Sequence, residues 1–367
     1  MVENKEYLNK QIITYIGNKR GLLLEIEYMV KLVMSKLKKD KLITADLFSG
    51  SGIVSRFLKQ YSSTIIANDL EAYSKVINEC FLSNKSEFDV DYFNKLLNQI
   101  NKNITLKPIK GLIRNYYSPK NDENILRDDR AFYTNENAIY IDSFRYYIDK
   151  IVPNNYKKYF LAVLLVEASI HVNTGGVFKG FYKDSKTCIG KFGGNEENAL
   201  SRIKGKINIQ APFLSNYETI YKVYQEDANS LAKKLKGLDL VYLDPPYNQH
   251  PYGSNYFMLN VIVNNSIDGS LSKVSGIPND WNRSIFNKKK LALDALKDII
   301  SKIDSKFFLI SYNNEGFISF EEMKKMLSSF GNVIDKKITY NVYRGSRNLK
   351  NRNKYTNEYL FLLEKEK

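Results

Sequence analysis

Two clusters of residues have the types and spacing that chemistry needs. The first is Asp244-Pro245-Pro246-Tyr247, which closes the run Leu238–Leu243, apolar except for Asp239. Two successive prolines fix φ and remove two N–H donors, so the carbonyls there face outward as unopposed acceptors. The Asp244 carboxylate and the Pro245 carbonyl together present two acceptors to one amino group, and Tyr247 offers a planar base a stacking face. The same tetrapeptide also suits an ordinary strand-ending turn. The second cluster is Asp46-Leu47-Phe48-Ser49-Gly50-Ser51-Gly52. Small residues let the backbone pass close to a ligand, and a helix behind them offers free N–H groups. A tight strand-to-helix turn accounts for the same residues. The full three-glycine dinucleotide pattern is missing, which argues against a pyrophosphate ligand, whereas Asp69, at the end of the next strand, suits a ribose diol.

The elements that position these residues read as α/β. Apolar positions at three- and four-residue steps over 17–37 predict an amphipathic helix. A short strand at 43–48, a helix at 53–61 and a strand at 64–68 then form the first half of a nucleotide-binding βαβ unit. Residues 85–206 differ: they are rich in Asn, Tyr and Lys, with two expected helices at 140–150 and 156–170. Within them, 171–206 holds seven of the 19 glycines and seven Lys/Arg against three acids. With Phe178, Phe181, Tyr182 and Phe192, this composition predicts a loop-built surface rather than a core. Regular α/β pattern returns with Leu238–Leu243, a strand at 306–312 and a helix at 320–330, where Ser319 and Glu322 have capping-box spacing. An antiparallel pair at 337–343 and 356–363 closes the chain.

Composition bounds the class. A chain of 367 residues suggests about two domains. The net charge of +15 favours a polyanionic partner, although a Lys-rich bias also yields it. Two cysteines make neither a disulfide framework nor a four-Cys zinc site, and two histidines make no multi-His centre. No metal is expected. The first ten residues lack an apolar signal segment, and the longest apolar run, 159–166, is far short of the ~20 residues of a membrane helix. The expectation is a soluble, cytoplasmic protein with no membrane partner.

The order Tyr15-Ile16-Gly17-Asn18-Lys19, Asp46–Gly52, Asp69, an insert and Asp244–Tyr247 resembles the D12 class of DNA adenine-N6 methyltransferases, Dam-like enzymes of the α-type motif order. His171-Val172-Asn173-Thr174-Gly175-Gly176, Tyr256 and Ile310-Ser311-Tyr312-Asn313 are most similar to the subgroup of restriction-modification methylases that includes the FokI methylase. The resemblance implies a Rossmann-like sheet with a terminal antiparallel strand and an inserted, mostly helical and loop target-recognition domain. It implies an S-adenosylmethionine (AdoMet)-binding catalytic domain of 1–84 and 207–367, with 85–206 as the DNA module. Tyr15, Gly17 and Lys19 would border the methionine end of AdoMet, and Asp46, Phe48, Ser49, Gly50 and Gly52 would wrap it. Asp69 would take the ribose and Asp227 the adenine amino group, with Glu226 as an adjacent competitor.

The implied reaction is methylation of a flipped-out adenine, with S-adenosylhomocysteine as product. Asp244 and Pro245 would accept the amine hydrogens, with Pro246 fixing the turn and Tyr247 stacking on the base. Cytosine-C5 methylation is excluded, because it needs a nucleophilic Cys after Pro, and Cys80 follows Glu79 while Cys188 follows Thr187. Double-stranded DNA is the expected partner. Lys179, Lys183 and Lys191 would contact phosphate, as would Arg344, Arg347 and Arg352 in a stretch with five Lys/Arg and no acid. Solvated loops account for both basic stretches equally simply. A restriction endonuclease acting separately is the expected counterpart. The alternatives are a base-amino methyltransferase of RNA, or a non-catalytic nucleic-acid-binding protein on the same scaffold.

Overall fold

Among the described residues, seven strands form one sheet: β1 (Leu42–Asp46), β2 (Ser62–Asn68), β3 (Ile220–Tyr224), β4 (Leu238–Leu243), β5 (Ser305–Asn313), β6 (Gly331–Asn341) and β7 (Tyr355–Lys365). They lie in the order β3-β2-β1-β4-β5-β7-β6. A computed structural model describes residues 2–194, 197, 199–341 and 355–366. The first five strands run parallel. β7 inserts antiparallel between β5 and β6, pairing Ile310 with Phe361 on one side and Asp335 with Phe361 on the other. Every residue of β4 is buried, as a strand covered on both faces requires. The order reverses between β1 and β4, which opens a crevice beyond their carboxyl ends. Asp46 ends β1 and Asp244 follows β4, so both carboxylates stand in that crevice.

Helices cover both faces. Leu231, Leu296, Ile299, Met323 and Leu327 pack on one side of the sheet, and Ile26, Val30, Val33, Val54 and Phe57 on the other. The first long helix spans Leu23–Leu37, preceded by a single tight turn at Arg20–Leu22, and is shorter than the expected 17–37. The chain must turn at Gly17, where φ is +74°, to send Lys19 inward. At 320–328 the capping box forms as its spacing predicts: Ser319 Oγ accepts from the Glu322 amide and Glu322 Oε2 accepts from the Ser319 amide.

Residues 85–206 hold more helix than expected. Helices at Asn135–Ile151 and Lys157–His171 extend the two anticipated, and Val90–Leu106 and Leu112–Tyr117 add two more. The Val90–Leu106 helix buries Phe93, Leu96 and Ile100 while its other faces carry Asn and Lys, so its polar majority hid a three-residue apolar stripe. Asp89 caps it, accepting from the amides of Asp91 and Tyr92. These helices share one apolar core with Tyr73, Ile77, Phe81, Phe257 and Leu259.

The expectation of a coreless surface over 171–206 is corrected. The segment is loop-built, with one short helix at Leu200–Lys204, but Phe178, Phe181 and Phe192 are buried in that shared core. Phe181 meets the Phe132 ring edge-on at 5.2 Å. Asn173, itself fully buried, makes this possible. Its Nδ2 donates to the carbonyls of Ala131 (2.8 Å) and Lys191 (3.2 Å), and its Oδ1 accepts from the Gly193 amide (3.1 Å). One side chain thus satisfies three backbone groups that no ladder reaches. Asn173→Ala leaves them unpaired. Each orphaned group costs ~1–3 kcal/mol, so the three together predict a destabilisation of at least about 3 kcal/mol in urea unfolding, with faster proteolysis between Lys183 and Lys191. An unchanged unfolding midpoint would contradict this role.

Candidate active site

The crevice is a cleft open to solvent, with about 870 Å³ of space between and in front of its walls. Residues 15–19, 46–54, 68–71, 226–228, 282–287 and the Asp244–Pro246 turn contribute to its walls. Tight backbone approaches build its floor. Gly50 has φ +50°, and a Cβ there would lie 2.7 Å from the Tyr15 ring. Gly52 has φ +76°, and a Cβ would lie 2.8 Å from Asn78 Oδ1. Asp69 Oδ2 accepts from the Gly50 amide (2.8 Å) and Oδ1 from the Glu71 amide (3.0 Å), which locks the glycine turn to the end of β2.

An aromatic stack fixes the segment around Gly17. The Tyr15 ring lies near-parallel to those of Tyr252 (5.1 Å) and Tyr256 (4.7 Å), and its hydroxyl lies 3.1 Å from that of Tyr73. The Ile16 amide donates to the Tyr256 hydroxyl (2.8 Å), and the Tyr252 hydroxyl donates to the Ile16 carbonyl (3.2 Å). The segment is thereby stitched to the helices that follow Tyr247.

Charge is concentrated beside it. Lys19 Nζ lies 2.9 Å from Asp244 Oδ2, 3.4 Å from Glu358 Oε1 and 3.0 Å from the Gly17 carbonyl. Burial would depress the Lys19 ammonium, but Asp244 and Glu358 outweigh it and hold its pKa well above the usual lysine value. Burial lifts the Asp244 carboxyl, Lys19 opposes the lift and Glu358 adds to it, leaving it pushed up to about 6. Burial also lifts Asp46 to about 7, against the hydrogen bond that its Oδ2 accepts from Ser55 Oγ (2.6 Å). Asp46 Oδ1 is buried and has no hydrogen-bond partner, so a donor placed in the cleft has an acceptor waiting. Burial raises Asp69 too.

A family model described as D12 class N6 adenine-specific DNA methyltransferase matches residues 15–326. The chain belongs to this family. It is 30% identical over 361 residues to the type II methyltransferase M.NlaIII of Neisseria lactamica, covering 96% of this chain and 99% of that one. It is 28% identical over 371 residues to M.FokI of Planomicrobium okeanokoites, and 30% identical over 369 residues to the modification methylase StsI of Streptococcus sanguinis. These two matches cover 96% of this chain but only 52% of each relative, so the chain spans about half their length.

The D12-class chain gathers Tyr15, Gly17, Lys19, Asp46, Phe48, Ser49, Gly50, Asp69, Asp227, Asp244 and Pro246 around this one cleft. Asp227 caps the helix Ala228–Ala232, its Oδ1 accepting from the Ser230 amide (3.0 Å). The Glu226 carboxylate is engaged by Lys234 at 2.5 Å. Tyr247 and Lys179 face a second cavity of about 680 Å³, which shares the Ile16 and Tyr252 wall with the first. Lys183 lies over the Phe181 ring at 4.9 Å, and Lys191 pairs with Glu197 at 3.1 Å. Arg344, Arg347 and Arg352 lie outside the described residues. Among the described residues, no helix is long and apolar enough to cross a membrane.

Two residues of the site escaped the sequence reading. Glu358 is one: it reaches Lys19 from β7, where it stands just before the apolar run 359–363. Glu71 is another: its Oε2 accepts from Asn260 Nδ2 (2.5 Å) and Asn282 Nδ2 (3.2 Å), tying the 282–287 wall to β2, and burial, helped by Asp69, pushes its carboxyl to about 7. No pattern in the sequence points to it.

Lys19→Met removes the cation between two buried carboxylates. The expected cost at pH 8 is ~3–5 kcal/mol, as for other buried pairs broken on one side. Without Lys19, Asp244 loses the group that opposes the effect of burial and titrates above its wild-type value of about 6, so the variant takes up a stabilising proton before the wild type does. The deficit therefore shrinks as pH falls from 8 to about 6 and levels off below, where both proteins gain alike. Thermal unfolding of both proteins between pH 5 and 8 measures it; a pH-independent deficit would be inconsistent with the ion cluster.

Proposed function

We propose that the chain methylates N6 of a specific adenine in double-stranded DNA, using S-adenosylmethionine, as the modification enzyme of a restriction-modification system. The observation that carries this reading is the placement of Asp244–Tyr247 between two cavities: Asp244 and Pro246 line the cleft at the strand ends, and Tyr247 lines the second cavity beside it. One tetrapeptide thereby serves a cofactor on one side and a planar base on the other. The cleft residues fit the cofactor. The unpartnered Asp46 Oδ1 would take the methionine ammonium, Asp69 the ribose hydroxyls and Asp227 the adenine amino group, with Phe48 among the residues that would wrap the cofactor. Tyr15, Gly17, Ser49, Gly50 and Gly52 shape the floor, and Lys19 holds the catalytic turn.

When bound, the cofactor supplies an electrophilic methyl group on sulfur. The protein's share is positioning. An adenine inside a duplex is out of reach, so the base must flip, and the Tyr247 ring gives it a stacking face. Asp244 and the Pro245 carbonyl accept the two N6 hydrogens, which draws the nitrogen towards a tetrahedral form and localises its lone pair for in-line attack; the sulfur–methyl bond breaks as the nitrogen–methyl bond forms, and the surplus N6 proton then passes by way of Asp244 to solvent. Asp244 must be ionised to accept. Residues 1–84 and 207–367 act as the catalytic domain, and 85–206 as the target-recognition module. Lys179, Lys183 and Lys191 are proposed phosphate contacts, as are Arg344, Arg347 and Arg352. The type II names of the relatives support the restriction-modification context.

The test is transfer of tritium from labelled S-adenosylmethionine to duplex DNA, with N6-methyladenine identified in the product. Asp244→Ala should lower the single-turnover rate by roughly 10²–10³, with cofactor affinity retained. Tyr247→Phe should be nearly silent, because the ring face does the work. The wild-type rate should be flat above pH 7 and fall about tenfold per pH unit below about 6, as Asp244 protonates. A near-normal rate in Asp244→Ala would end the catalytic reading. Separately, Asp69→Ala should weaken cofactor binding by ~1.5–3 kcal/mol for each ribose hydrogen bond lost. Calorimetry giving the wild-type affinity would remove the ribose assignment.

A further inference from the structure

Glu358 has no part in the reaction described so far, yet it meets the same ammonium as Asp244. It stands on β7, opposite Asn313 of β5, and is 1% exposed. Its Oε1 accepts from Ser311 Oγ (2.6 Å) and its Oε2 from Asn313 Nδ2 (3.0 Å). A lysine ammonium has three donors. At Lys19 they face three acceptors: Asp244 Oδ2, Glu358 Oε1 and the Gly17 carbonyl. The cation is thus shared between the two carboxylates.

We propose that Glu358 is a positioning residue for methyl transfer: it draws the Lys19 ammonium partly away from Asp244, so that Asp244 keeps enough negative charge to accept the amine. A lysine held by Asp244 alone would neutralise it and compete with the substrate amine for its lone pairs. Without any lysine, Asp244 would face Glu358 unscreened and take up a proton. Three partners on one nitrogen hold the carboxylate between these extremes. Among the described residues, other titratable groups that act on Asp244 or the Lys19 ammonium are Asp46 on β1, Tyr242 on β4, and Tyr247 and Tyr252 after it. Burial raises all three tyrosines above the usual phenol value, so near neutral pH they stay uncharged, and the carboxylates and Lys19 set the field.

This inference rests on Asp244 being the amine acceptor, and two readouts separate the claims. The Asp244 carboxyl carbon is titrated by carbon-13 NMR in the full chain, its signal assigned by its loss in Asp244→Asn; single-turnover methyl transfer is measured over the same pH range. In Glu358→Gln the Asp244 midpoint should fall by at least about half a pH unit, because a like charge has gone. The acid limb of the rate should move with it, while the plateau rate drops roughly tenfold and cofactor affinity holds. Glu358→Asp keeps the charge but retracts it, so its midpoint should lie between the two; it also carries the test if the Gln variant does not fold. An unmoved midpoint in a folded Gln variant, with transfer intact in the wild type, overturns the role of Glu358 alone. No transfer by the wild-type chain overturns the acceptor reading and this inference together.

Discussion

A single ammonium group holds the site together. Lys19 Nζ joins the Gly17 turn, the Asp244 turn after β4 and Glu358 on β7 within 3.4 Å. Each of these comes from a different part of the sequence. Much of the nearby architecture brings them into register. The tyrosine stack pins residues 15–16, the order reversal between β1 and β4 places Asp244 at the crevice, and the insertion of β7 beside β5 delivers Glu358. Buried charge is costly unless it is paired and hydrogen-bonded. Ser311, Asn313 and the Gly17 carbonyl complete the bonding that makes the cluster tolerable.

The same economy governs the acids at the ends of β1 and β2. Asp46, Asp69 and Glu71 lie close together, and burial lifts all three. Asp69 is met by two backbone amides and Glu71 by two side-chain amides, whereas Asp46 has Ser55 on Oδ2 and an Oδ1 left without a hydrogen bond of good geometry among the described residues. The fold thus leaves its free acceptor capacity on the residue nearest to Asp244 in the sheet. A cleft with that distribution favours a ligand that brings donors and positive charge.

Much of this was legible in the sequence because it is local. A buried strand ending in Asp-Pro-Pro-Tyr, a glycine turn after an apolar run and an acid at the next strand end each fit within a few residues, and each marks a strand terminus. The register of Ser319 with Glu322 was legible for the same reason. What escaped was tertiary. Glu358 reads as an ordinary surface acid of an edge strand until β7 is known to lie inside the sheet. The Val90–Leu106 helix buries only one narrow stripe, and its Asn and Lys outvote that stripe in any composition count. The aromatics of 171–206 looked exposed because glycine and lysine surround them. The partner that buries them is one asparagine amide bonding to chain far away, and no periodicity encodes that.

The position of β7 also has a kinetic consequence. Loop closure over most of the chain must precede the contact between Lys19 and Glu358, and contacts of such long range form late. Until β7 arrives, β5 has an open edge and Lys19 meets only one carboxylate. A ribosome-bound chain that already carries the Asp244 turn therefore still lacks β5, β6 and β7 and the finished charge cluster. Competence arrives as one event near the end of folding, so the yield of working molecules depends on how fast an unpaired β5 edge is covered before it finds another chain.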